Sequence, residues 1–246
     1  MKKILVLLCG LIISHNIMLR TDGVDVAEGG GAVAQSAVIL EDDFNDGIFD
    51  EAKWAHIGIS KKKPWTHIPG ASVNEEDGVL VISNDLTNAG GAVKSIPFSV
   101  ESGDILRLTR RVRIFPNTNF RNTTAFINRD GKPAAQYRYF YKCKDLADGV
   151  YFDYDGKEHV IPPWREWFTE IVTYNTGTGK ITYAIPGRGE MSRTVGRLPD
   201  DQLWLLFDAY GWHTGHRIEI DYIKLEKIEK MSYFTMHFPP NKPADR

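Results

Sequence analysis

The sequence predicts an all-β fold, a sandwich or a barrel, and three observations carry that expectation. Short segments of period-two or wholly apolar character recur along most of the chain. Explicit turn signals separate them: EEDG, SGD, RDGK, YDGK, NTGTGK and LPDD. No stretch holds a helical period over three turns, and no internal repeat points to a propeller or solenoid.

In chain order, residues 1–36 read as a signal peptide and linker. MKKILVLLCGLIISHN starts with Lys2 and Lys3 and continues as an apolar run from Ile4 to Ile13. That run is shorter than the roughly 20 residues a bilayer span needs and has the form of a secretory signal. An uncleaved N-terminal anchor is the alternative, and a small-x-small site ends at Ala34. Loss of the leader removes Cys9 and leaves Cys143 alone, so no intramolecular disulfide is expected. The expected location is secreted, periplasmic or cell-surface, with no membrane span once the leader is gone.

Order begins at AVILEDDF, and DEAKW (50–54) offers a single helical turn. Strands are then predicted over 79–83, 91–100, 104–115, 124–129, 135–142, 149–155, 157–161, 167–175, 180–186, 203–210 and 216–228. Residues 37–229 form one predicted domain, and the Pro-rich 230–246 a tail. A net charge of -2 and a pI near 6.4 argue against a nucleic-acid partner. No P-loop, dinucleotide fingerprint or nucleophile elbow occurs; Asn122-Thr-Thr is a glycosylation sequon.

The composition, 11% aromatic, suits a polysaccharide or glycan ligand. Sugar C–H faces pack on rings while planar polar groups bond the hydroxyls. In AQYRYFYK, period two sets Tyr137, Tyr139 and Tyr141 on one face, a candidate sugar platform or a half-buried sheet face. In DILRLTRRVRIF, Arg107, Thr109, Arg111 and Arg113 share a face opposite Leu108, Arg110, Val112 and Ile114. Within a groove, Arg111 and Arg113 would meet an acidic glycan; on an outer surface they are solvated. Trp65 and His67 in KKKPWTHIPG, Trp164 in PPWREW, and Trp212 with His213 in GWHTGH are candidate groove walls. His213 and His216 alone lack the further ligands a zinc site needs.

Several stretches resemble concanavalin A-like lectin and glucanase domains: EDDFNDGIFDEAKWAHIG, DGVLVIS, AGGAVKS, WFTEIVTYNTGTGKITYAI and IEIDYIKLE. The likeness spans about residues 38–228. It implies a jelly-roll β-sandwich of two antiparallel sheets, with the first strand beside the last and a concave sheet forming a carbohydrate groove. It also implies a structural Ca²⁺ between the start of the domain and the last strand, for which Glu41, Asp43 and Asp221 are the candidates. The family's glucanases carry Glu-x-Asp followed by a second Glu; Glu219 and Asp221 match the first two positions, but Ile223 or Lys224 stands at the third. Its polysaccharide lyases use Arg, Gln, Tyr and His together. Arg111, Gln136, Tyr139 and His159 supply those types, although the lyase motifs themselves are absent. A glycan-binding, lectin-like protein is therefore the leading expectation. A polysaccharide hydrolase or lyase comes second, and a structural or adhesive domain without a sugar site third.

Overall fold

A computed structural model describes residues 36–60, 71–84, 89–117, 120–143, 146–152, 159–195, 201–211 and 215–228. All regular structure among them is strand. In order these are β1 (Ser36–Asp42), β2 (Trp54–Ser60), β3 (Ala71–Glu76), β4 (Val79–Asn84), β5 (Ala89–Ser95), β6 (Phe98–Ser99), β7 (Ile105–Phe115) and β8 (Phe120–Ile127). They continue with β9 (Pro133–Tyr141), β10 (Gly149–Tyr151), β11 (Phe168–Asn175), β12 (Lys180–Ile185), β13 (Gly189–Thr194), β14 (Gln202–Gly211) and β15 (His216–Ile228).

The strands form two antiparallel sheets. The first runs β13-β12-β11-β7-β15-β4-β3, with β1 also paired to β15. The second runs β10-β9-β8-β14-β5-β2, with β6 on β14. The first strand thus lies beside the last, as expected. Turn chemistry closes the hairpins: Asp77 and Gly78 both adopt positive φ between β3 and β4, the geometry of a type I′ hairpin. The DEAKW turn is real but short, with Lys53 and Trp54 N–H donating to Asp50 O before the chain enters β2.

Alternation builds the core. Leu106, Leu108, Val112 and Ile114 of β7 meet Leu203, Leu205, Phe207 and Ala209 of β14 in one apolar cluster. Each such buried side chain contributes about 1.5–3 kcal/mol. Trp54 closes one end, its indole N–H donating to Asp42 Oδ2 at 2.8 Å. On β15 the alternation breaks at a bulge between Ile220 and Tyr222. Ile218 and Ile220 face the core before it, Ile223 and Leu225 after it. An uninterrupted period would place Ile218 and Ile223 on opposite faces; the extra residue resets the parity.

The inward parity of β7 also carries Arg110 into the core, fully buried against Glu170 of β11 at 2.7 Å. Tyr137 and Tyr139 donate to the same carboxylate. Arg110 lies 4.6 Å over the Phe207 ring. The sequon is likewise sealed, because Asn122 points inward with no exposure.

Candidate functional site

The face of the second sheet turned away from the core gathers the molecule's most distinctive polar set. Register builds it. Ile57 lies opposite Ala92, and Ala92 opposite Asp208. Thr123 lies opposite Arg138, and Arg138 opposite Tyr151. A hydrogen bond joins the two halves, the Thr123 amide donating to Asp208 Oδ1 at 2.5 Å. One transverse row across six strands therefore reads Ile57, Ala92, Asp208, Thr123, Arg138, Tyr151. A neighbouring row reads Gly90, Tyr210, Arg121, Phe140, Gly149. On the other flank stand Ala55, Lys94, Leu206, Ala125 and Gln136.

Contacts between rows fix the polar groups. Arg121 Nη2 donates to Asp208 Oδ2 at 3.4 Å, and its guanidinium sits 4.8 Å over the Tyr210 ring. Arg138 Nη2 donates to Gln136 Oε1 at 3.1 Å. Lys94 Nζ lies 5.5 Å over Trp204. The Tyr151 ring stacks on His159 at 5.1 Å and meets Phe140 edge-on at 5.8 Å. Gly149 makes that stack possible, since a Cβ there would come within 2.9 Å of His159 Cδ2. Burial pushes the Asp208 carboxyl above its usual range, while Arg121 and the Thr123 amide pull it back. Asp208 is the only carboxylate in these three rows among the described residues. Among the described residues of this face, no second carboxylate stands beside it to make the pair used in glycoside hydrolysis.

Of the described residues singled out from sequence, Gln136 and His159 stand on this face and the others do not. Tyr137 and Tyr139 are core residues, 1% and 0% exposed. They pack with Tyr183 and bond Glu170. Tyr141 and Trp164 meet at 5.4 Å and pack against the same core. The tyrosine row therefore corrects the expectation of an open platform: three rings on one face of β9 bury more apolar surface inward than the Gln136, Arg138, Phe140 face would. Arg111 and Arg113 lie on the outer face of the first sheet, both over Trp167 at 5.2 and 4.7 Å. Arg111 pairs with Asp221 and Arg113 with Glu219. They form a charged solvent face and share no groove with the tyrosines. Trp65, His67, Trp212 and His213 lie outside the described residues.

The calcium candidates do not form one donor set as placed. Asp221 is tied to Arg111, Glu41 accepts from Tyr222 Oη at 2.7 Å, and Asp43 accepts from the Asn45 amide in its own exposed turn. Among the described residues no group of three or more His, Cys, Asp or Glu could hold a metal ion. Of the lyase-type residues, Gln136 and His159 stand on the outer face of the second sheet, Tyr139 in the core and Arg111 on the opposite sheet.

Comparison with solved structures identifies the architecture. A sialidase superposes with a TM-score of 0.58 at 10% identity over 76% of this chain, which spans only 18% of the sialidase. The CBM2 module of the evolved Dit of Lactobacillus casei BL23 phage J-1 gives 0.57 at 15% identity, covering 80% of this chain and 98% of that one. Peanut lectin gives 0.55 at 12% identity, covering 79% and 98%. The fold is the concanavalin A-like jelly roll. No family profile matches the sequence, and no curated protein does. The concanavalin A-like sandwich of this chain was thus visible in the order of its strands rather than in a shared motif.

What sequence reasoning missed is the set Arg121, Arg138, Asp208 and Tyr210. One signal was available. In LWLLFDAY, Asp208 has the parity opposite Leu205, Phe207 and Ala209. In QYRYFY, Arg138 has the parity opposite three tyrosines. Assigning the more apolar parity of each concanavalin A-like strand to the core places both on the outside together.

Proposed function

We propose that this is an exported glycan-binding protein that engages a polysaccharide on the outer face of its second sheet. The observation that carries the reading is the cross-strand row in which Asp208 is held by Arg121 and the Thr123 amide beside Arg138. Asp208 is itself buried, at 2% exposure, with one oxygen on the Thr123 amide and the other on Arg121; it anchors a half-buried guanidinium beside that of Arg138, and such planar donors suit sugar hydroxyls. The half-buried Trp204 and the exposed His159, backed by the buried Tyr151 ring, add ring surface for C–H faces. The names of the structural neighbours, a carbohydrate-binding module and lectins, support the same reading, as does the signal-like leader. The protein acts outside the cytoplasm: secreted, periplasmic or at the cell surface.

The test is a glycan array with wild type and the Arg138→Gln and Asp208→Asn variants, each checked for an unchanged thermal transition. Binding by wild type that falls at least tenfold in both variants is the expected result. An array without a single bound glycan, or binding untouched by Arg138→Gln, overturns the proposal.

A second reading rests on Arg121 lying over Tyr210 on the side that also carries Gln136 and His159. A guanidinium beside a phenol or imidazole suits uronate lyases, where positive charge neutralises the carboxylate and the neighbouring base takes the α proton. Incubation with polyuronates, followed by ultraviolet absorbance of the unsaturated product, decides between binding and cleavage.

A further inference from the structure

His159 extends the row that Asp208 anchors. Val150 and Val160 exchange backbone hydrogen bonds, N–H to O, at 2.8 and 3.3 Å. Antiparallel pairing at that bridge sets His159 directly opposite Tyr151. The row Asp208, Thr123, Arg138, Tyr151 therefore continues past β10 to an imidazole. There the surface is two rings deep. Tyr151 and His159 lie 19° from parallel with centroids 5.1 Å apart. Tyr151 is 1% exposed and His159 is exposed, so the imidazole is the ring that meets solvent.

The neighbours of that ring hold it in place. The Tyr151 hydroxyl donates to Ala147 O at 2.9 Å, and Phe140 meets the Tyr151 ring edge-on at 5.8 Å. The lower ring is thus fixed at its tip and along its side. Gly149 shares the face of Tyr151 and leaves the room the imidazole uses. A Cβ there would come within 2.9 Å of His159 Cδ2 and 3.4 Å of His159 Cβ. Gly149 sits in regular strand, so the space rather than the backbone conformation calls for glycine. A strand glycine of this kind marks a close approach. An imidazole ordered in advance loses little rotamer freedom on contact, and its face suits the C–H face of a pyranose.

We infer that His159 is the stacking residue for one sugar of a glycan laid across the strands, with Tyr151 and Gly149 as its positioning residues. The inference rests on the glycan reading of this face and adds the direction and the least length of the ligand. Arg138 and His159 stand two interstrand spacings apart, about 10 Å. Arg138 is also held toward Gln136, at 3.1 Å, rather than toward the imidazole. One pyranose ring does not reach both, so the ligand is a chain of at least two sugar residues, one at Arg138 and the next on His159. Trp204 belongs to a different track. It shares the face of Asp208 but lies about 13 Å away along β14, and Lys94 Nζ stands over its ring at 5.5 Å. A short chain following the row meets the imidazole and not the indole.

The experiment is calorimetric titration with a size ladder, one to six residues, of a glycan that the array finds bound. Wild type is expected to bind the disaccharide at least tenfold more tightly than the monosaccharide. His159→Ala is expected to lose at least tenfold on the disaccharide, while His159→Phe, which keeps a flat ring and cannot take a proton, stays within threefold of wild type. Gly149→Ala crowds the imidazole off Tyr151 and loses binding in step; without ligand, the His159 ring protons lose the ring-current shift that Tyr151 imposes, which reports the displacement even if the variant is less stable. A loss smaller than tenfold in His159→Ala while Arg138→Gln still abolishes binding overturns this inference and leaves the polysaccharide reading standing. His159→Phe as weak as His159→Ala, or a monosaccharide bound as tightly as the longer chains, also overturns it. An array without a bound glycan overturns both.

Discussion

Replacing Arg110 with methionine removes the cation that Glu170 faces inside the sandwich. Both side chains have 0% exposure, and the bond between them is 2.7 Å. Glu170 keeps the phenols of Tyr137 and Tyr139, but two neutral donors do not replace a charge in the core. Breaking a buried pair from one side costs about 3–5 kcal/mol, whereas exchanging both members for apolar groups is often close to neutral. At about 2–4 °C per kcal/mol for a domain of 150–250 residues, Arg110→Met lowers the thermal midpoint by roughly 6–20 °C. The double variant Arg110→Met/Glu170→Leu is expected to be at least about 2 kcal/mol more stable than the sum of the two singles, a coupling of the size contacting residues show. Part of the pair's benefit is already lost, because Arg110 Nη1 is buried without a hydrogen-bond partner. Adding Tyr137→Phe removes a phenol that would otherwise lose its acceptor. Urea denaturation of the four proteins in a double-mutant cycle measures this. A single Arg110→Met variant within about 1 kcal/mol of wild type, or strictly additive costs, would refute the claim that the ion pair organises the core.

Three further outcomes follow from the geometry. Glu75 has both carboxyl oxygens buried without hydrogen-bond partners. Burial, then the nearby Asp46 and Asp42 charges, raise its pKa to about 7. The fold therefore binds a proton that the unfolded chain releases near 4.5, and stability falls as pH rises from that value to about 7; Glu75→Gln flattens this slope in pH-resolved thermal melts. Trp54→Phe leaves Asp42 without the indole donor at 2.8 Å and costs about 1–3 kcal/mol by urea titration. Trp167→Ala frees Arg111 and Arg113 on an exposed face; a stability change of about 1 kcal/mol or less with glycan-array binding intact is expected, and lost binding would return those arginines to the site.

Much of the fold was legible because its central strands carry a strong period. The segments that became β4, β7, β9, β11, β12, β14 and β15 all alternate or run apolar between clear turns, and the two ends of β15 fall where expected. The strands not anticipated are β2, β3 and β13. Two of them, ASVNEE and GEMSRT, have almost no apolar face, because each is an edge strand whose outer side meets solvent. Sequence patterns report burial, so a strand held mainly by backbone ladders is silent. The site was less legible for a related reason. Tyr137 and Tyr139 look like sugar platforms by composition, but a sheet buries its most apolar parity, and that parity was theirs. Asp208 gave no cue as a functional group, since a single carboxylate inside LWLLFDAY reads as an interruption of a core strand until Thr123 and Arg121 arrive from β8.

The position of β15 has a consequence for how the molecule is made. It lies between β7 on one side and both β4 and β1 on the other, so the last strand among the described residues is the keystone of the larger sheet. Until His216–Ile228 emerges from the ribosome, β1 has no neighbour and β7 shows a bare edge. The earlier part of the chain must wait, unpaired along that seam, for its last piece. A chain lacking β15 leaves that seam open, a state that invites pairing with other chains.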